Sequence, residues 1–208
     1  MDDTPAAEGG LRARRRAQTE REVEDAALDA FAARGFESTT MEQIAESAGI
    51  SVRTAFRYFP AKVDTVLITS RSVFQLLGAG LGTEIHGGAS LSAVEQSIDD
   101  SLSALVAADP AAIARLKRLR GLMLRDDRLR AEVAKSEGYL SGLSVPESGP
   151  GATSLEARLV AELASATLRA AFDHWAATAD DSGLLLAHYR RARETRDAVV
   201  VARAPRER

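Results

Sequence analysis

The sequence predicts an all-α protein, with a group of short helices near the N-terminus and a larger helical body behind it. Three observations carry this. Alanine, leucine, arginine and glutamate dominate while aromatic residues reach only 5%, a balance that suits close-packed helices better than sheets. Apolar residues recur three and four apart along most of the chain. Glycine, proline and capping residues punctuate these runs at helix-length intervals.

The elements follow in order. Residues 1 to 10, MDDTPAAEGG, are small and polar, and with the arginines behind them residues 1–18 read as a flexible basic arm. A first helix is expected from Thr19, with Val23, Ala27, Ala30 and Phe31 on one face and Gly35 as its stop. Thr40 can cap a second helix, Gln43 completes a capping box, and Met41, Ile44, Ala45 and Ala48 share a face. Gly49 supplies a left-handed turn, and Ser51 caps a short third helix running to about Phe59. Pro60 cannot continue that helix but suits the opening of a fourth from about residue 61, with Val63, Val66, Leu67, Phe74 and Leu77 on one side, fading into the glycine-rich stretch 78 to 90. Further helices are expected near 91–108, 110–125, 127–143, 154–178 and 183–202, with SVPESGPGATS, residues 144 to 154, as the one long loop.

Charge placement is more informative than the total. The formal net charge is -3, yet residues 11 to 16 carry four cations and no acid, and residues 51 to 62 carry three and none. Within the third helix Arg53 and Arg57 share a face, Thr54 and Tyr58 are the neighbouring pair, and Ala55 and Phe59 form an apolar pair that turns inward. Arginine can bind guanine O6 and N7 in a major groove, while threonine and tyrosine hydroxyls and a helix N-terminus suit phosphate oxygens. Lys62 is expected to reach the flanking backbone. The candidate DNA-contacting residues are therefore Thr40, Ser51, Arg53, Thr54, Arg57, Tyr58 and Lys62. The arginines from Arg12 to Arg16 read either as a solvated tail or as an arm on DNA, and Phe56 as core packing, with contact to a thymine methyl as the alternative.

The run AFAARGFESTTMEQIAESAGISVRTAFRYFPAKVDTVL resembles the N-terminal DNA-binding domain of the TetR family of transcriptional regulators. It has the family's Gly-Phe turn, Thr-Thr cap, Ile-Ala on the second helix, Ala-Gly turn and Tyr-Phe before a lysine. Ala55 stands where a larger apolar residue is common, Ala61 where serine is, Val63 where glutamate is, and Arg53 where many relatives carry a small residue. The resemblance implies a three-helix helix-turn-helix head at about residues 19–62 and a helical bundle over 63–208 that binds a small-molecule effector and dimerises. It further implies a repressor that binds a palindromic double-stranded DNA operator as a homodimer.

In the body, helix 154–178 carries Leu155, Leu159, Leu163, Ala166 and Ala170 along one stripe and Leu168 and Trp175 on another. Two stripes imply two partners: the protein's own core and a symmetry mate, with helix 183–202 completing a four-helix interface. Both stripes packing within one monomer is the alternative. Residues 115 to 130 hold seven cations against two acids, either a solvated helix face or an anionic-ligand site. The body has a diffuse resemblance to regulators that take acyl-coenzyme-A-like molecules. Met123, Phe172, His174 and Trp175 are the candidate ligand-binding residues.

No catalytic constellation is found, no cofactor is implied, and no metal site is expected. Cysteine is absent, which excludes disulfides and cysteine-ligated zinc, and His86, His174 and His188 are the only histidines. No stretch approaches the ~20 apolar residues of a membrane span, and no signal peptide is read, so a cytoplasmic location without membrane association is expected. Two other readings stay open: a helical small-molecule-binding or scaffold protein without DNA recognition, and an enzyme hidden in the body.

Overall fold

The structure, a computed structural model, describes residues 5–86, 90–136, 154–179 and 184–202; for 5–9, 11–12, 79–86 and 201–202 it describes the backbone alone. Within these residues the chain is helical with no strand. The helices are α1 (Pro5–Arg34), α2 (Met41–Ser47), α3 (Val52–Tyr58), α4 (Ile68–His86), α5 (Leu91–Ala108), α6 (Pro110–Met123), α7 (Asp127–Ser136), α8 (Leu155–Ala177) and α9 (Leu185–Ala202). A short 3₁₀ turn, Lys62–Val66, precedes α4.

Three expectations are corrected. The first helix begins at Pro5 rather than near Thr19, so most of the expected flexible arm is helix. Proline is well placed in a first turn, and Ala, Leu and Arg are strong helix formers that let the helix grow toward the N-terminus. The fourth helix does not start at residue 61. Asp64 accepts the Ala61 N–H at 3.0 Å and Thr65 donates its hydroxyl to the Lys62 carbonyl at 2.6 Å, favouring a tight turn that seats Val63, Val66 and Leu67 in the core. α4 then continues to His86 rather than fading at Gly78. The expected end of the seventh helix, beyond Ser136, and all but the last residue of the 144–154 loop lie outside the described residues.

Apolar packing forms two cores. The first joins Val23, Ala27, Leu28 and Phe31 of α1 to Met41, Ile44, Ala45, Ala55, Phe59 and Val66, and it also takes Leu119, Leu122 and Met123 of α6 with Leu129 and Val133 of α7. The second joins Val73, Phe74 and Leu77 of α4, Val94, Ile98 and Leu102 of α5, Ile113 and Leu116 of α6, and the inner faces of α8 and α9. α6 therefore spans both cores, its first half in the body and its second half under the head. Its 14 residues extend about 21 Å, enough to act as a rod between them.

Polar contacts reinforce this joint. Arg115 holds Asp25 through two bonds of 2.9 and 3.0 Å, and Arg118 reaches Asp25 and Asp29. Glu24, 1% exposed in the first core, accepts the Thr69 N–H at 3.0 Å and its hydroxyl at 2.5 Å, tying α1 to the start of α4.

Candidate nucleic-acid interface

The turn between α2 and α3 is built as the sequence requires. Thr40 accepts the Gln43 N–H at 3.3 Å and the Gln43 side chain accepts the Thr40 N–H at 3.1 Å, completing the capping box. At the far end of α2 the Gly49 N–H reaches the Glu46 carbonyl and the Ile50 N–H the Ala45 carbonyl. Gly49 has a φ of 67°, the left-handed conformation that closes a helix in this double-bonded way. Ser51 then opens α3 by accepting the Thr54 N–H at 3.1 Å.

Ala55 is fully buried and Phe59 nearly so, and both belong to the first core. With that stripe inside, Arg53 and Arg57 are exposed and Thr54 is half-buried beside them. No acid pairs with either arginine among the described residues. The Arg57 guanidinium lies 4.8 Å from the centre of the Tyr58 ring and donates to its hydroxyl at 3.1 Å. The Ser51 and Thr54 hydroxyls bond one another at 2.8 Å. Six of the seven expected residues, Thr40, Ser51, Arg53, Thr54, Arg57 and Tyr58, thus sit on or beside the exposed side of this unit.

Lys62 is placed differently. Its ammonium donates to the carbonyls of Phe36, Thr39 at 2.7 Å and Glu37 at 3.5 Å, and it lies 4.2 Å from the centre of the Phe36 ring. Partial burial pulls its pKa below the usual lysine value, against the pull of Glu37 and Asp126. All three donors of the ammonium are directed at carbonyl oxygens, so Lys62 fastens the α1–α2 turn instead of extending toward a duplex.

Phe56 is also corrected. It is 49% exposed rather than buried. On a helix of 3.6 residues per turn it lies about 80° from the midpoint of Ala55 and Phe59, on the flank of the inward stripe. The wheel alone could have shown this. An exposed Phe56 beside Val52, 37% exposed, offers apolar contact of the kind a thymine methyl accepts.

The four candidate ligand residues do not converge. Phe172 and Trp175 are fully buried together in the second core, their ring centres 6.3 Å apart. Met123 belongs to the first core. His174 is exposed on the outer side of α8, its ring 5.1 Å from that of His188. The physical reason is register: His174 neighbours Trp175 in sequence and so turns about 100° away from it. The residue that does join Phe172 is Arg120, 4% exposed, its guanidinium 5.3 Å from that ring, 5.9 Å from Phe74 and paired with Asp173 at 3.1 Å.

The basic run is largely neutralised. Beyond Arg115, Arg118 and Arg120, Arg128 pairs with Glu37 and Glu132, Arg130 with Asp127, and Arg125 donates to the Gly121 carbonyl at 3.0 Å. The described residues contain no group of three or more potential metal ligands, and no helix among them is long and apolar enough to cross a membrane.

A short helix held outward by its own core, capped at Ser51 and carrying two arginines on its open side, defines a helix-turn-helix head on an all-α protein. Residues 25–66 match the profile described as bacterial regulatory proteins, tetR family. The chain is 36% identical over 84 residues to the HTH-type transcriptional regulator TcmR of Streptomyces glaucescens, covering 38% of this chain and 37% of that protein. It is 34% identical over 89 residues to the HTH-type transcriptional regulator RutR of Escherichia coli K12, covering 43% and 42%. The chain thus spans about two fifths of the length of these curated relatives, which are named as regulators and not as enzymes. A solved structure described as a TetR-family transcriptional regulator from Mesorhizobium loti aligns over 88% of this chain and 96% of its own, at 19% identity and a TM-score of 0.43.

Proposed function

We propose that this protein is a ligand-responsive, DNA-binding transcriptional repressor that holds a palindromic operator as a homodimer in the cytoplasm. The observation that carries the reading is the outward face of α3: Arg53 and Arg57 exposed and without acidic partners among the described residues, on a helix whose opposite side is buried. Each subunit lays α3 in a major groove, with Arg53 and Arg57 on base edges and the capped ends at Thr40 and Ser51 on phosphates. Two such heads then meet half-sites about 34–36 Å apart. In this reading residues 19–62 are the DNA-binding unit and 63–208 the ligand-binding and dimerising unit, with α6 and α7 packed beneath the head.

Dimerisation is supported by the outer side of α8 and α9. Leu155, Leu159 and Leu163 are 75%, 53% and 42% exposed along α8, and Val199 and Val200 are 61% and 62% exposed on α9. An apolar stripe spread over two adjacent helices fits a second copy of the same stripe.

In this reading the effector site lies in the second core, around Phe172, Trp175 and Arg120. The Trp175 indole N–H and the Tyr189 hydroxyl are buried there without hydrogen-bond partners among the described residues. Buried donors of this kind are costly unless something satisfies them. An acyl-coenzyme-A-like effector would have to break the ion pairs of the 115–130 run to bind its phosphates, so we favour a compact, mainly apolar molecule with one or two acceptors.

The test is titration by fluorescence anisotropy, at several salt concentrations, against a duplex selected by the protein from a random library. Salt-steep, sequence-selective binding by a dimer supports the regulator. Failure to select any sequence supports the helical binding or scaffold protein.

A further inference from the structure

The basic segment ahead of the head is a built part of it. α1 continues through residues 13 to 16, and Arg16 lies seven residues, two turns, before the buried Val23 on the same face. From there its guanidinium reaches 5.3 Å from the centre of the Tyr58 ring, the same ring that Arg57 occupies at 4.8 Å. Glu20 holds Arg16 in place through a bond of 2.8 Å. The N-terminal turns of α1 and the end of α3 therefore meet across one aromatic side chain.

Beside that contact, Arg14 and Arg15 are exposed, and no ion pair engages either among the described residues. No acid occurs from Leu11 to Thr19; the first is Glu20, which Arg16 already takes. A chain of net charge -3 thus leaves Arg14 and Arg15, in the turn of α1 that ends at Arg16, and Arg53 and Arg57 of α3 exposed and without acidic partners among the described residues, on two helices that meet at Tyr58. Like charges gathered at an exposed surface repel unless a polyanion covers them, and duplex DNA offers one phosphate charge per about 1.7 Å of its axis.

We infer that the N-terminal turns of α1 are a second DNA-contacting element, in which Arg14 and Arg15 take backbone phosphates flanking the base pairs reached by α3 and Arg16 positions them through Tyr58. This rests on the DNA-binding reading above and deepens it. Phosphates carry no sequence information, so Arg14 and Arg15 add affinity to every sequence alike, whereas Arg53 and Arg57 discriminate. Arg16, already paired with Glu20, is a positioning residue.

The experiment uses the full chain and a duplex it has selected from a random library, with a scrambled duplex alongside. The double variant Arg14→Gln/Arg15→Gln is expected to reduce the slope of log affinity against log salt by about two and to weaken both duplexes roughly tenfold or more at 0.1 M salt, leaving their ratio unchanged. Arg14→Lys/Arg15→Lys is expected to keep the slope. Arg16→Ala is expected to shorten hydroxyl-radical protection at the outer edges of the site while protection at its centre stays. An unchanged slope in the glutamine variant, or an equal loss in the lysine variant, overturns the inference and leaves the reading of α3 standing. If no duplex is selected, the DNA-binding reading itself fails; if a duplex is selected but Arg53→Ala and Arg57→Ala leave base preference intact, the reading of α3 fails.

Discussion

The carboxylate of Asp126, in the corner between α6 and α7, accepts the backbone N–H of Phe36 at 3.0 Å, while the carbonyl of the same Phe36 takes the ammonium of Lys62. One peptide position in the α1–α2 turn is therefore held from the body on one side and from the base of α3 on the other. Asp126 also caps α7 by accepting the Leu129 N–H at 2.9 Å. Asp126 thus ties the α6–α7 corner to the head, and α6 also contributes Ile113 and Leu116 to the second core.

Asp126→Ala is expected to destabilise the protein by about 1–3 kcal/mol, since it leaves a cap and a turn N–H unsatisfied. Asp126→Asn, which keeps one acceptor, should cost less. Burial acts to raise the Asp126 pKa, but the backbone N–H groups of Leu129, Phe36 and Arg128, together with Lys62, outweigh it and bring the value below the ordinary 3.8. Its contribution is therefore complete above about pH 4 and is lost as the pH falls through the depressed value. Urea unfolding from pH 3 to 7, compared between wild type and Asp126→Ala, reads out the difference.

Lys62→Ala is expected to lower head stability by about 1–3 kcal/mol through the loss of three carbonyl contacts. Its effect on DNA binding should come as reduced affinity with little change in salt slope. A slope reduced by about one would instead return Lys62 to the role of phosphate contact.

Arg53→Ala and Arg57→Ala are each expected to cost about 1–3 kcal/mol on the selected duplex and to relax base preference, with little change on a scrambled one. Repeating the library selection with each variant checks which base positions lose definition. Phe56→Ala should weaken discrimination at a thymine if its ring meets a methyl group.

Leu159→Glu combined with Leu163→Glu is expected to give a folded monomer. Both side chains are largely exposed within the subunit, so the change leaves its core intact while placing charge across the α8–α9 face. Sedimentation velocity measures the association and circular dichroism the fold.

Glu24→Gln is expected to flatten the dependence of stability on pH. Burial raises the Glu24 pKa above its ordinary 4.5, with the two Thr69 bonds opposing, so its contribution is full below that value and declines as the pH rises through the raised one. The glutamine variant keeps the acceptor for the Thr69 N–H without the charge. Thermal melts from pH 4 to 8 distinguish the two proteins.

Local chemistry was legible in the sequence because its causes are local. The capping box at Thr40, the left-handed Gly49, the Ser51 cap and the division of α3 into an inward Ala55–Phe59 side and an outward Arg53–Arg57 side all depend on residues within one or two turns of each other. Propensity, capping and charge determine these before any packing occurs. What only the tertiary structure decided involves residues far apart in the chain. Lys62 is consumed by carbonyls 23 to 26 residues away, Asp126 joins a turn 90 residues earlier, and Arg115 and Arg118 are spent on α1. No periodicity announces such partners, because a cation in a sequence carries only its charge. Whether that charge meets a carboxylate, a carbonyl or a phosphate depends on which helix folds against it.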